Sequence, residues 1–219
     1  SCGSGLSASP ERVLFTKEMK KDYTILIPDM LPVHFRLLRT IFTQNGYKVA
    51  LLKNTGRKVV DTGLKYVHND TCYPALLVIG QMISALQSGK YDVNKTALII
   101  TQTGGGCRAS NYIHLLRKAL VKAGLSQVPV ISLNVSGLES NPGFKLTLEM
   151  IYQAFIGLAY GDLFMLLKNQ TRSYEVNKGD ADKVIDKWCK ILSQQFRQRK
   201  GYTPKGVEKN MKAIVEDFA

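Results

Sequence analysis

Cysteine is scarce in this sequence, which has four cysteines among its 219 residues, at positions 2, 72, 107 and 189. Cysteines so few and so widely spaced exclude the dense disulfide framework typical of small secreted domains. The first twelve residues, SCGSGLSASPER, also lack the basic flank and the apolar centre of a signal peptide. We therefore expect reduced thiols and a cytoplasmic location.

A long uninterrupted hydrophobic run is also missing. The most apolar stretch, residues 150–167, contains Gln153 and Asp162 and is at the short limit for a membrane span. It predicts a buried helix, and we expect no membrane association.

Acidic residues are outnumbered, with 17 Asp and Glu against 30 Lys and Arg, so that the net charge is +13. This excess favours an anionic partner, which could be nucleic acid, a phosphorylated small molecule or an acidic protein surface. Much of the excess lies in residues 178–212, where a solvated helix face explains it as well. Because no Arg/Lys cluster is interleaved with aromatics and no RNA-binding or zinc-finger signature is present, nucleic acid is disfavoured.

Short apolar runs at residues 23–29, 47–53, 96–102 and 128–135 predict four strands. Stretches with helical periodicity separate them. This alternation predicts an α/β fold with a doubly wound, mostly parallel sheet of about four strands flanked by helices. The nearly continuous apolar character of the strands is typical of a sheet that is covered on both faces.

The sequence predicts three regions: a leader at residues 1–20, an α/β domain at 21–176 and a helical extension at 177–219. Two amphipathic helices are expected in the extension. The chain lacks an initiator Met and stops inside an apolar helical pattern. We therefore expect it to be a fragment of a larger chain, with the extension leading into further sequence.

The loop TQTGGGCRASNY, residues 101–112, follows the third predicted strand, at the sheet edge where ligands of α/β proteins gather. It is not a P-loop, and no third glycine completes a dinucleotide-binding pattern. Glycines before a helix N-terminus suit a phosphate, a thiolate or an iron–sulfur cluster equally. Taken as an isolated motif, the run of three glycines before Cys107 is more typical of a tight turn than of a binding site. A short helix is expected after the second predicted strand. If it runs only partway back across the sheet, HNDTCYP at residues 68–74 would start the next helix near the same edge.

Five ordered segments resemble a known family, over about residues 19–175. The family is that of acyl-CoA dehydratase activase-related proteins, relatives of the iron–sulfur subunits of 2-hydroxyacyl-CoA dehydratases, such as 2-hydroxyglutaryl-CoA dehydratase, and of benzoyl-CoA reductases. The segments are MKKDYTILIPDMLP, HNDTCYPALLVIGQMISALQSGKYD, TQTGGGCRASNYIHLLRKAL, PVISLNVSGLESNPGFK and YGDLFMLL.

The resemblance implies a [4Fe–4S] or double-cubane cluster held through cysteines. It also implies an ATPase activase domain, on the same or another chain, that delivers a low-potential electron for an acyl-CoA or other small substrate. The chain would then be one lobe of a dehydratase- or reductase-like iron–sulfur enzyme or of its activator, and we expect the fragment alone to be inactive. Assembly into an oligomer is compatible with this reading.

The family-like thiols are Cys72 in NDTCYP and Cys107 in GGGCR, and cluster ligation is the role that the resemblance implies for both. Cys2 is a weaker third candidate. The remaining candidates would surround the cluster or substrate, although a capping, surface or loop hydrogen-bonding role remains open for the polar ones. They are Gln102, Gly104, Gly105, Gly106, Arg108 and Asn111.

Two other functions remain open at this point. The chain could be a non-catalytic docking module that binds CoA or a partner domain through its basic surface, or a thiol enzyme with Cys107 as nucleophile. Cys189 lies on the apolar side of a predicted helix and is expected to be a buried structural thiol.

Overall fold

The computed structural model describes residues 12–29, 32–68, 71–102, 112–134 and 141–219. In this described part of the chain, α-helices separate the four strands, with two of them between the second and third strands, and three α-helices follow the fourth strand. The strands are β1 (Thr24–Ile27), β2 (Lys48–Leu51), β3 (Thr96–Gln102) and β4 (Val130–Asn134). The helices are α1 (Met19–Asp22), α2 (Pro32–Gln44), α3 (Arg57–Tyr66), α4 (Tyr73–Gln87), α5 (Tyr112–Lys122), α6 (Leu148–Thr171), α7 (Asp180–Arg197) and α8 (Pro204–Phe218).

The four strands form one parallel sheet in the order β2–β1–β3–β4. In its register, Thr24 of β1 lies opposite Thr96 of β3, and Leu98 of β3 lies opposite Val130 of β4. The apolar residues of β1 and β3 are buried, as expected for strands covered on both faces. The predicted α/β fold, with its parallel sheet and C-terminal helical region, is confirmed.

The strand order reverses between β1 and β3, because β1 leads through α2 to β2 whereas β3 leads through α5 to β4. Ligands of open parallel sheets bind in the crevice at such a reversal, beyond the carboxyl ends of the strands. Here those ends are Ile27 and Gln102. The loop that follows Gln102 therefore begins at the most favourable ligand position of the sheet.

The chain divides into two compact units, of which the first comprises Ser1–Pro28 and Leu52–Phe144. Phe15 belongs to the core of this unit and is fully buried. Its backbone N–H donates to Asn141 Oδ1 at 3.2 Å, and the N–H of Gly143 donates to the Phe15 carbonyl at 2.8 Å. The segment assigned from sequence to a leader therefore contains a core residue, while the boundaries at residues 20 and 176 stay predictions.

Two glycines bring the backbones of α3 and α4 into close contact. A Cβ at Gly80 would lie 2.3 Å from the carbonyl oxygen of Val59, and one at Gly63 would lie 2.5 Å from that of Leu76. Real Cβ atoms do not approach so closely, so only glycine permits this spacing. The contact fixes α4, and the candidate thiol Cys72 is the residue that caps the N-terminus of this helix.

The second unit comprises Asp29–Leu51 and Lys145–Ala219. Tyr160 is fully buried in it, and its hydroxyl donates to the Gly201 carbonyl at 2.6 Å and accepts from Asn210 Nδ2 at 3.0 Å. Burial raises the pKa of this phenol. Cys189 is 2% exposed and burial raises the pKa of its thiol, so the expectation of a buried thiol is confirmed. The predicted apolar face of α7 is also buried, at Ala181, Ile185, Trp188, Leu192 and Phe196.

Helix α6 is buried on one side only, which corrects the expectation of a buried helix. Tyr160 and Phe164 are fully buried, whereas Leu148 is 86% exposed and Phe155 is 56% exposed. The reason is geometric, since a single helix presents only one stripe to the neighbours α2, α7 and α8. Among the described residues α6 is the one helix long and apolar enough to cross a membrane, a test that core helices of soluble proteins also pass.

The only tryptophan of the chain gives a direct probe of the α7–α8 packing. The indole N–H of Trp188 donates to Asp217 Oδ2 at 2.7 Å, and Lys187 Nζ lies 2.8 Å from the same oxygen. The Lys187 ammonium and then the Trp188 N–H lower the pKa of the Asp217 carboxyl.

We expect Trp188 fluorescence to stay constant above about pH 4, the ordinary range of an aspartate pKa, and to change below it as the carboxyl is protonated. A carboxyl whose pKa is lower in the folded protein than in the unfolded protein stabilises the folded state at any pH above its unfolded-state pKa. This stabilisation is lost as the pH falls through its folded-state pKa. An Asp217→Asn variant should lack this step. If both proteins show the same titration, general acid unfolding is the cause.

Candidate functional site

Cys72 lies at the N-terminus of α4, where the sequence places a helix start. Pro74 occupies the first turn, which suits proline because the N–H groups of that turn have no partner within the helix. The Cys72 carbonyl accepts the first helical hydrogen bond, from the N–H of Leu76 at 3.1 Å. The thiol is free and exposed. The predicted position of this thiol at a helix N-terminus is therefore confirmed.

The side chain of Cys72 contacts the first residue of α5. Its Sγ lies 2.8 Å from the hydroxyl oxygen of Tyr112, 40 residues further along the chain. Because α5 connects the parallel neighbours β3 and β4, it begins on the side of the sheet where β3 ends. The contact therefore places Cys72 near the carboxyl edge of the sheet, beside the start of the helix that follows the glycine-rich loop.

Most of the other predicted site residues lie outside the described part of the chain. Gln102 is the last residue of β3, so its backbone stands at the carboxyl edge. Cys72 is the only predicted ligand whose side-chain contacts are described. The predicted residues outside the described ranges are Cys2, Gly104, Gly105, Gly106, Cys107, Arg108 and Asn111.

A reciprocal amide pair holds α4 to the loop that follows β2. Asn54 Nδ2 donates to the Gln81 carbonyl at 3.0 Å, and Gln81 Nε2 donates to the Asn54 carbonyl at 2.9 Å. Gln81 is only 6% exposed, so these bonds satisfy polar groups that would be costly to bury alone. Sequence reasoning did not assign this pair, although a glutamine inside the apolar helix pattern of α4 was a visible signal.

The described residues contain no group of three or more His, Cys, Asp or Glu side chains that could hold a metal ion. Cys72 alone therefore does not make a metal centre. What the edge provides is an accessible thiol between free N–H groups of a helix N-terminus and a phenol hydroxyl. Both kinds of group can donate to a negatively charged sulfur, so the position suits one ligand of a larger cluster.

Fold and site together define a parallel α/β protein with a thiol at the carboxyl edge of its sheet. Residues 24–93 match the family model described as CoA enzyme activase uncharacterised domain (DUF2229). This match supports an activase-related family and includes Cys72, but it ends before the glycine-rich loop. No curated protein and no solved structure matches the chain.

Proposed function

We propose that this chain is a module of a dehydratase-activator-related protein in which Cys72 and Cys107 help to ligate an iron–sulfur cluster of the [4Fe–4S] or double-cubane type. The match to a CoA enzyme activase domain supports the activator-related role. The observation that carries the thiol assignment is the 2.8 Å contact between Cys72 Sγ and the Tyr112 hydroxyl. Tyr112 follows Cys107 by five residues in the sequence, so the contact links the two thiol-bearing segments.

The donor set fits such a cluster only in part. A conventional cubane takes four ligands, whereas the chain offers Cys72, Cys107 and the weaker candidate Cys2. A further ligand would come from a partner domain, a substrate or bridging sulfide. The buried thiol of Cys189 lies in the other unit and is not a candidate.

A bound cluster would supply one-electron chemistry at low potential, driven by an ATPase domain on the same or another chain and directed at an acyl-CoA or other small substrate. The residues of this chain have simpler tasks. Cys72 provides a thiolate from a helix that the glycine contact with α3 and the Asn54–Gln81 pair hold in place. The Tyr112 hydroxyl, 2.8 Å from that sulfur, would donate a hydrogen bond to it once the sulfur is a cluster ligand.

Anaerobic reconstitution with iron and sulfide is expected to give a brown protein with thiolate-to-iron absorption. Cys72→Ala and Cys107→Ala should nearly abolish this absorption and the bound iron and sulfide. Cys189→Ala is the matched control, because it removes a thiol from the buried core of the other unit, and it should retain the colour. A colourless wild-type protein, or equal loss in all three variants, counts against the proposal.

Tyr112→Phe separates positioning from ligation. It should leave iron content near that of the wild type, because the ligands are unchanged. The reduction potential of the cluster should become more negative, because hydrogen bonds to cluster sulfur stabilise the reduced, more negative state. A potentiometric titration followed by electron paramagnetic resonance measures this shift. An unchanged potential would mean that Tyr112 does not donate to a cluster ligand.

The alternative function is a docking module for CoA or for a partner domain. The apolar residues left exposed along α6, such as Leu148 and Phe155, favour it because such stripes often mark interfaces. Binding of CoA or of an ATPase partner that persists in a Cys72→Ala/Cys107→Ala variant, in a protein that holds no iron, would support this alternative.

A further inference from the structure

A basic cleft, open to solvent, lies between α2 and α7 in the second unit and has a volume of about 790 Å³. Its walls follow helical spacing, because the residues that α2 and α7 contribute recur at every third or fourth position. We call it the α2/α7 cleft. The residues that matter for its chemistry are Arg36, Arg39 and Thr40 from α2, and Lys190, Ser193 and Arg197 from α7.

The charge of the cleft is strongly one-sided. Helix α2 contains no Asp or Glu, and α7 contains none after Asp186. Asp186 pairs with Arg36. The other three cations are Arg39, Lys190 and Arg197. Their side chains make no ion pair within the described part of the chain. Three exposed cations of the cleft therefore have no acidic partner among the residues that the structure describes.

The floor of the cleft adds hydroxyl groups. Thr40 is 8% exposed, and its hydroxyl oxygen lies 3.0 Å from Ser193 Oγ and 3.4 Å from the Arg36 carbonyl oxygen. The one Thr40 proton goes to either acceptor, and Ser193 can donate to a ligand in the cleft when Thr40 donates to Ser193. Buried Cys189 closes the floor beside Ser193. A polar donor thus stands between two cationic walls.

Phosphate groups are the ligands that this set of donors fits best. Guanidinium groups bind phosphate oxygens through two parallel hydrogen bonds, and the volume lies within the range of small-molecule sites. The terminal diphosphate of a nucleoside diphosphate carries about three negative charges near pH 7, since its last ionisation falls near pH 6. The diphosphate of CoA bridges two organic groups, so it lacks this last ionisation and carries one charge fewer. We propose that the α2/α7 cleft binds the diphosphate group of a small molecule, supplied by a nucleoside diphosphate or by CoA. This proposal does not depend on the thiol site.

Calorimetric titration of the full chain with sodium pyrophosphate at low ionic strength is expected to show saturable binding. Arg39→Gln/Arg197→Gln should weaken it about 100-fold, at about tenfold for each charged donor lost. The matched control is Lys205→Gln/Lys209→Gln, which removes the same charge from exposed positions on α8 and should change affinity by less than about threefold, because neither side chain lines the cleft. Far-UV circular dichroism should show both variants folded.

Titrations with ADP and with CoA distinguish the two sources of the diphosphate. The ligand that binds more tightly, ADP or CoA, identifies the source. Either outcome supports the site if Arg39→Gln/Arg197→Gln weakens the binding of that ligand. Absence of saturable pyrophosphate binding overturns the proposal, as does equal weakening by the control variant or orthophosphate binding as tight as that of pyrophosphate. An oligoglutamate peptide that binds more tightly than pyrophosphate would assign the cleft to an acidic protein surface instead.

Discussion

Gly80→Ala is expected to lower the free energy of unfolding by about 2–3 kcal/mol, the upper range for overpacking a tight contact. The new Cβ would lie 2.3 Å from the Val59 carbonyl oxygen and 2.9 Å from the backbone nitrogen of Gly63. Both neighbours are backbone atoms of α3, so no side-chain rotation can relieve the overlap and the helices must separate. Alanine gains about 1 kcal/mol of helix propensity over glycine, and the net destabilisation includes this gain.

Chemical denaturation followed by far-UV circular dichroism measures this loss. Lys58→Ala, at an exposed position on α3, is the control and should change stability by no more than about 0.5 kcal/mol. An unchanged or increased stability of Gly80→Ala would show that α3 and α4 do not pack through their glycines. The same variant should weaken cluster binding if Cys72 needs a fixed α4.

Two glycines one turn apart on α6 should respond differently to the same substitution. At Gly161 a Cβ would lie 2.4 Å from His34 Cδ2 and 2.6 Å from His34 Cγ. The His34 ring is buried, and its Nε2 lies 2.8 Å from Asp162 Oδ1, so it cannot swing away freely. Gly161→Ala is expected to destabilise the protein by about 1–3 kcal/mol.

Gly157→Ala serves as the matched control, because its Cβ would lie 3.6 Å from both Ile41 Cδ1 and Leu37 Cβ, which is ordinary contact. It should be neutral or stabilise by up to about 1 kcal/mol through helix propensity. Thermal melts of the two variants beside the wild type test the pair. Equal melting temperatures for both variants would refute the close approach of His34 to α6.

The sequence contained enough information for the order of elements and for the parallel sheet. Hydrophobic periodicity and the glycines after helices mark local structure, and short crossovers between apolar strands allow few other topologies. It also predicted the Cys72 helix start, because proline in the first turn is a local signal. The helix and strand signals depend on neighbouring residues only.

The contacts that define the site could not be predicted in the same way. Cys72 and Tyr112 are 40 residues apart, and their meeting depends on how far α3 runs before α4 begins. The close packing at Gly63 and Gly80 is equally non-local, because it joins two different helices. From sequence alone, a glycine within a helix indicates low helix propensity and not a close contact between helices. The exposed apolar side of α6 was not predicted, because composition shows that a helix is apolar but not which other elements pack against it.

The division into two units has a consequence for biosynthesis. Each unit is assembled from two separate stretches, so the chain leaves the first unit at residue 29 and returns to it at residue 52. Leu37 and Ile41 of α2 are buried within the second unit, whose remaining helices are translated more than 100 residues later. During synthesis, the first unit can therefore close while α2 still exposes its apolar side. Such delayed, long-range closure slows folding and creates a window in which a chaperone or a second nascent chain can bind α2.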